Sequence, residues 1–287
     1  LFATVSPSVP LNSGLIVDNT NSSDVYGARL TRGWRQVYNT VTLGSQQVQL
    51  QDFNGALYIG TVEQYLHRFQ NNGGTFLYHY GFFPWGNDFS VLEVYNNKLY
   101  ILSFIVNVPS RGYATNGNSF PGTVEFTIGS EIAADPFSAR ALGAYLYIGG
   151  TRANVARLWR WDGTSATTTE ILALSAPYFA FKSIGKYRNR LYIDADKNNP
   201  TAEVIEYDPA TGTYLTSLSI AIDVGSNTQS DFAEFNGSLY WLTGGATNNI
   251  YRFDGNTWET LTPLALGMRW QAAAVAGGRL YIAGQRI

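Results

Sequence analysis

Seven times along the chain a turn-forming dipeptide stands just ahead of an apolar pair, and this recurrence constrains the fold more than any single residue does. The closest copies are Asn54-Gly55 before Leu57-Tyr58, Asn96-Asn97 before Leu99-Tyr100, Arg188-Asn189 before Leu191-Tyr192, Asn236-Gly237 before Leu239-Tyr240, and Gly277-Gly278 before Leu280-Tyr281. Gly143-Ala144 before Leu146-Tyr147 and Asn12-Ser13 before Leu15-Ile16 complete the set. Successive leucines are 41 to 48 residues apart, the range of one blade in a β-propeller. A second spacing keeps step with the first: 19 residues separate Leu15 from Trp34, Leu57 from Phe76, and Leu239 from Trp258.

Each dipeptide joins two extended runs, and Asn-Gly tolerates the positive φ of a type I′ turn whose twist matches the strands on either side. A third run follows, as in Arg157 to Trp161 or Ile250 to Phe253, and Asp162-Gly163, Asp208-Pro209 and Asp254-Gly255 close it. A fourth run, such as Trp258 to Leu261, completes an up-and-down sheet. Leu57-Tyr58-Ile59 is apolar on both faces, so both faces need cover. A unit of about 40 residues cannot supply it alone, whereas a neighbour on each side can. The expectation is a single all-β domain over residues 1–287, a seven-bladed propeller of four-stranded antiparallel blades with six blades as the fallback. The last unit stops after its second strand, so the segment Leu1 to Ser6 is expected to join it and close the ring. Pro7 and Pro10 sit awkwardly for this count, because they fall where the first unit's innermost strand would run.

Composition narrows the function. Apolar residues make up 45% and aromatics 15%, enough for a large core, and no linker interrupts the 287 residues. The formal net charge of −2 and the scatter of the 19 basic residues leave no footprint for a nucleic-acid backbone. No apolar run is long enough for a membrane helix. With no cysteine, neither a disulfide frame nor a thiolate metal site can form. Leu1 rather than Met opens the chain, which suggests a removed leader or an excised domain, and the low charge suits an extracellular protein or one on a virion or cell surface. Asn21-Ser22-Ser23 and Asn236-Gly237-Ser238 are glycosylation sequons, the second in a tight turn.

The stretch from Phe235 to Trp258, with its turn, apolar strand, Gly244-Gly245, Asp254 turn and Trp258, resembles a kelch repeat, as do Tyr207 to Tyr214 and Arg269 to Gln285. The double glycine recurs at Gly149-Gly150 and the closing tryptophan at Trp34. The resemblance implies a propeller fold. It implies no activity, because kelch-like propellers include adaptors, glycan binders and oxidases.

Candidate sites follow from the loops that join second to third strands and blade to blade, which emerge on one face. The longest, Val106 to Gly122, makes the ring asymmetric and offers Arg111, Tyr113 and Phe120 as contact residues, although a plain surface loop is the simpler reading. Trp85, Tyr178 and Trp270 stand at blade entries, where rings could stack on sugar faces, against the simpler reading that they pack between blades. Asp194, Asp196 and Asn198 place oxygens at alternate positions, as a calcium loop does, yet Asn199 stands where that loop needs glycine and Ile205 where it needs glutamate. A polar turn is therefore the first reading and a calcium site the second. Arg68, Arg160 and Arg252 recur at one position of the third strand, which argues for structure. His67 and His79 have no flanking nucleophile or metal pattern, so no catalytic residue is named. The expected function is non-enzymatic recognition or assembly, most of all glycan binding through the loops on one face, with a glycan or protein surface as partner and self-assembly open. A structural subunit of a filament, virion or phage tail is the first alternative, and a carbohydrate-active enzyme with axial carboxylates the second.

Overall fold

The computed structural model describes residues 2–5, 49–60, 66–70, 76–80, 88–104, 109–116, 124–129, 135–197, 201–221, 230–243, 249–261, 268–276 and 279–286. They form antiparallel sheets in chain order. The first contains β2 (Gln49–Phe53), β3 (Ala56–Gly60), β4 (Leu66–Gln70) and β5 (Phe76–Tyr80); the second β6 (Asp88–Tyr95), β7 (Lys98–Phe104), β8 (Arg111–Thr115) and β9 (Val124–Thr127). The third contains β10 (Asp135–Leu142), β11 (Tyr145–Arg152), β12 (Val155–Trp161) and β13 (Thr169–Leu174); the fourth β14 (Tyr178–Tyr187), β15 (Arg190–Lys197), β16 (Thr201–Asp208) and β17 (Thr213–Ala221). The fifth contains β18 (Asp231–Phe235), β19 (Ser238–Leu242), β20 (Ile250–Phe253) and β21 (Trp258–Leu261). The sixth pairs β22 (Met268–Ala276) with β23 (Arg279–Arg286), and β1 (Phe2–Val5) lies beside β23, running from Phe2 opposite Ala283 to Val5 opposite Leu280.

The first strands make a circle, with β2 against β6, then β10, β14, β18 and β22, and β22 packs back against β2. The protein is an all-β propeller of four-stranded antiparallel blades, and the N-terminal strand joins the C-terminal hairpin as anticipated. The described sheets number six, five of four strands and the sixth of three, and their first strands follow one another around the circle. The seventh unit, around Leu15-Ile16, lies outside the described residues, as do Pro7 and Pro10.

The turns behave as their residues require. Asn54 and Gly55 have φ of 51° and 71°, and Asn236 and Gly237 have 49° and 72°, the paired positive values of a type I′ hairpin. Arg188 and Asn189 adopt the same conformation without a glycine. Beyond each turn the Leu-Tyr pair is buried on both sides: Leu99, Leu146, Leu191 and Leu239 are fully covered, and so, nearly, are Tyr100, Tyr147 and Tyr192. The cover comes from the next blade. Tyr100 and Phe126 of the second blade pack with Trp159 and Trp161 of the third, and Tyr192 of the fourth packs with Trp241 and Phe253 of the fifth. Phe126 stacks on Trp161 at 4.2 Å between ring centres, and Phe253 on Trp258 at 4.9 Å. The recurring arginines stand opposite the recurring tyrosines in the ladder, Arg160 facing Tyr147 and Arg252 facing Tyr240, which gives them the structural role expected.

Candidate functional site

Every first strand lies at the inner edge of its sheet, in the ring of first strands, and ends at its hairpin turn, so the residues two and three places before each turn meet at one end of the central opening. They bound a cavity of about 460 Å³ to which all six first strands contribute. Gln51 and Asp52 come from β2, Glu93 from β6, Arg140 from β10, Lys186 from β14, Glu234 from β18 and Val275 from β22. Phe232 and Ala273 lie deeper in the lining, and the turn Asn236-Gly237 forms part of the rim. The cavity therefore opens on the face that carries the hairpin turns. This is the face opposite the loops singled out from the sequence.

A buried ion network forms one wall. Arg140 Nη1 donates to Glu93 Oε2 at 2.8 Å, and its Nη2 donates to Asp231 Oδ1 at 3.1 Å and to the Phe232 carbonyl at 2.8 Å. Glu93 Oε1 also accepts the Ala141 amide at 3.0 Å, and Asp231 Oδ2 accepts the Ala273 amide at 2.8 Å. The first strands are too splayed to pair through their backbones, so side chains of one blade accept the amides of the next. Ser138 Oγ does the same for the Ile184 amide at 2.8 Å. Burial raises the Asp231 carboxyl, and the Arg140 charge beside it and the two amides act against that rise. Lys186 Nζ reaches the Ala141 carbonyl at 3.3 Å, and burial pushes the Asp52 carboxyl above its usual value.

The residues singled out from the sequence do not assemble here. Trp85, Phe120 and Asn198 lie outside the described residues, and so does Asn21. Arg111 and Tyr113 belong to no free loop. They sit in β8, between β7 and β9, with Tyr113 buried opposite Ile101 and only Arg111 partly exposed. The correction has a simple cause: Pro109 and the Asn- and Gly-rich tail after Thr115 obscure a five-residue third strand. Tyr178 opens β14 and donates its hydroxyl to Glu203 Oε2 at 2.8 Å, with Lys197 over its ring, so its polar edge is committed within its own blade. Trp270 lies in β22 next to a register shift before Ala272. Asn236, of the second sequon, lines the cavity at its rim.

Asp194 and Asp196 stand in β15, paired to β14 on one side and β16 on the other. Their alternate oxygens reflect the two-residue period of a strand, and the curled backbone of a calcium loop is absent at these two positions. Among the described residues no three acidic or histidine side chains converge as a metal cage would require. Asp194 is buried, and burial pushes its carboxyl up to about 7 against the opposing Ser230 hydroxyl and Lys182 charge. Asp196 forms an ion pair with Lys182 at 3.7 Å.

The axial set escaped the sequence reading although a signal was present. Counting back two and three places from each turn dipeptide yields Asp52 and Gln51, Glu93, Arg140, Lys186 and Glu234. These are nearly all the polar residues of otherwise apolar or small-residue strand ends.

No protein-family model matches the chain, and no curated protein matches it at a significant level. Among solved structures it is similar to a chain of one titled "Crystal Structure of Mitotic Checkpoint Complex", with 14% identity, a TM-score of 0.56, and coverage of 88% of this chain and 78% of that one. It also aligns with the computationally designed Ika8 protein at 11% identity and a TM-score of 0.46, over 83% of this chain and 68% of that one. The first likeness agrees with the β-propeller fold. Among the described residues no helix is long and apolar enough to cross a membrane.

Proposed function

We propose that this protein is a non-enzymatic recognition propeller of kelch-like type, working outside the cytoplasm, which holds a glycan in the axial cavity on its hairpin-turn face. The observation that carries the reading is the lining. Carboxylates, amides and an ammonium from separate blades surround a space of about 460 Å³ with an apolar wall at Phe232, Ala273 and Val275. A sugar needs this mixture, because each hydroxyl both donates and accepts while the ring carbons require apolar contact. The kelch-like assignment draws on Gly149-Gly150, the Asp254 turn and Trp258. The placement outside the cytoplasm draws on the low charge, the single Met and the abundant Asn, Thr, Ser and Gly.

A glycan array followed by isothermal titration tests the reading. Saturable binding to at least one sugar, weakened in Asp52→Ala and Lys186→Ala proteins that melt normally, is the expected result. A flat response to every sugar would overturn it.

Glycoside cleavage is a second reading, favoured by the presence of both Asp52 and Glu234 at the cavity while Glu93 is neutralised by Arg140. Hydrolysis of chromogenic glycosides that disappears in Asp52→Asn and Glu234→Gln would replace binding by catalysis.

A further inference from the structure

We propose, on the reading that the axial cavity holds a glycan, that the sugar is an amino sugar whose free ammonium rests between Asp52 and Glu234, beside Val275. These three residues come from β2, β18 and β22, and β22 packs against both of the other strands, so the acids flank an apolar step on one side of the opening. Glu93, Arg140 and Lys186, from β6, β10 and β14, form the other side.

The charge of the cavity selects this ligand. Four acids, Asp52, Glu93, Asp231 and Glu234, stand in the lining and the network behind it against two bases, Arg140 and Lys186. The Arg140 charge is spent within the wall, on Glu93 at 2.8 Å and Asp231 at 3.1 Å, and the second oxygen of each acid accepts a backbone amide. Lys186 Nζ leans on the Ala141 carbonyl at 3.3 Å. Asp52 and Glu234 form no ion pair among the described residues, with Asp52 half-buried and Glu234 exposed. Burial raises the Asp52 carboxyl, and no base acts against that rise.

A cleft with an excess of one sign gathers ligands of the other. A sugar bearing a carboxylate or sulfate would be repelled, and a neutral one would leave both acids without a counter-charge. Ionised carboxylates only accept hydrogen bonds and an ammonium only donates them, so the two match without the double role of a hydroxyl. Val275 and Ala273 supply contact for the ring carbons next to the amine, a contact that a hydrated inorganic cation could not use.

Isothermal titration of the whole chain compares a β-linked glucosamine disaccharide with its N-acetylated form at about pH 6, where an aliphatic amine keeps its proton. The two probes differ only at the amine. The expected result is at least about tenfold tighter binding of the free amine, a preference that Asp52→Asn and Glu234→Gln each reduce and that added salt weakens. Glu259→Gln, which alters an exposed acid on β21 outside the cavity lining, should leave the preference as it is. Equal or tighter binding of the acetylated sugar overturns the proposal while the glycan reading stands. Failure of both disaccharides and of every sugar on an array overturns the two together. Spermidine bound as tightly as the amino sugar also overturns the proposal, because charge alone would then be recognised. So does a preference indifferent to both Asp52→Asn and Glu234→Gln in proteins that melt normally.

Discussion

Arg140 of the third blade and Asp231 of the fifth, two positions apart around the ring, are joined by a 3.1 Å ion pair that bypasses the blade between them. The same guanidinium holds Glu93 of the second blade, so one side chain ties three first strands together near the axis, and the Asp231 contact to the Ala273 amide adds a fourth.

Replacing Arg140 by methionine removes the cation that Glu93 and Asp231 share and leaves both carboxylates buried. A loss of about 3–5 kcal/mol is expected in denaturant titrations. Arg140→Lys, whose single ammonium cannot reach both acids in a fork, should fall between the two. Equal stability of wild type and Arg140→Met would show that the network does not bind the blades together.

Asp194 sets a pH dependence of definite sign. Its carboxyl is pushed up to about 7, whereas the unfolded chain ionises it near 3.8. Between these values the folded protein keeps a proton that the unfolded chain has released, so this contribution makes stability fall as pH rises through the window and level off above it. The slope is at most about 1.4 kcal/mol per pH unit. Asp194→Asn should remove it, so the stability difference between variant and wild type shifts in favour of the variant from pH 4 to 7. A difference constant across that range would contradict the assignment.

Gly185 lets two first strands approach. A methyl group there would stand 2.6 Å from Phe232 Cβ and 3.1 Å from Leu239 Cδ1 in the next blade. Gly185→Ala is expected to cost about 1–3 kcal/mol through overpacking. A double-mutant cycle with Leu239→Ala, which removes the Cδ1 that the added methyl would meet, should recover part of that cost.

Tyr187 donates its hydroxyl to the Gly237 carbonyl at 2.7 Å, near the 3.0 Å approach to the Asp254 carbonyl, and Tyr95 donates to the Ala144 carbonyl at 2.6 Å. In both cases the last residue before one blade's turn locks onto the turn of the next. Tyr95→Phe and Tyr187→Phe should each lose about 1 kcal/mol, and their effects should add because the sites lie in separate blade pairs. Calorimetric melting of the single and double variants checks this.

The blade rhythm is legible in the sequence because it rests on local chemistry: Asn-Gly adopts the turn, and Leu-Tyr marks a strand covered on both faces. The closing partnership of β1 with β23 is also legible, since a unit that stops at two strands needs a donor. The site is harder to read. Its members are single residues, Asp52, Glu93, Arg140, Lys186 and Glu234, each one ordinary in its own strand. Only the circle brings them together, and aromatics such as Tyr113 attract notice although a ring between blades is chiefly packing. Arg111 to Thr115 misleads for a related reason, as five residues between proline and asparagine carry too little period to distinguish strand from loop. Asp194 and Asp196 mislead because a strand and an ion-wrapping loop both place oxygens at every second residue.

The pairing of Phe2–Val5 with Arg279–Arg286 also orders events during synthesis. β1 is made well before its ladder partner β23, so five blades can stack while the circle still has a gap. Until that gap is filled, the aromatic flanks of its two bordering blades are exposed to whatever else the cell contains. The interval between completing β21 and delivering β23 is therefore when this chain is most open to misassociation and most in need of a chaperone.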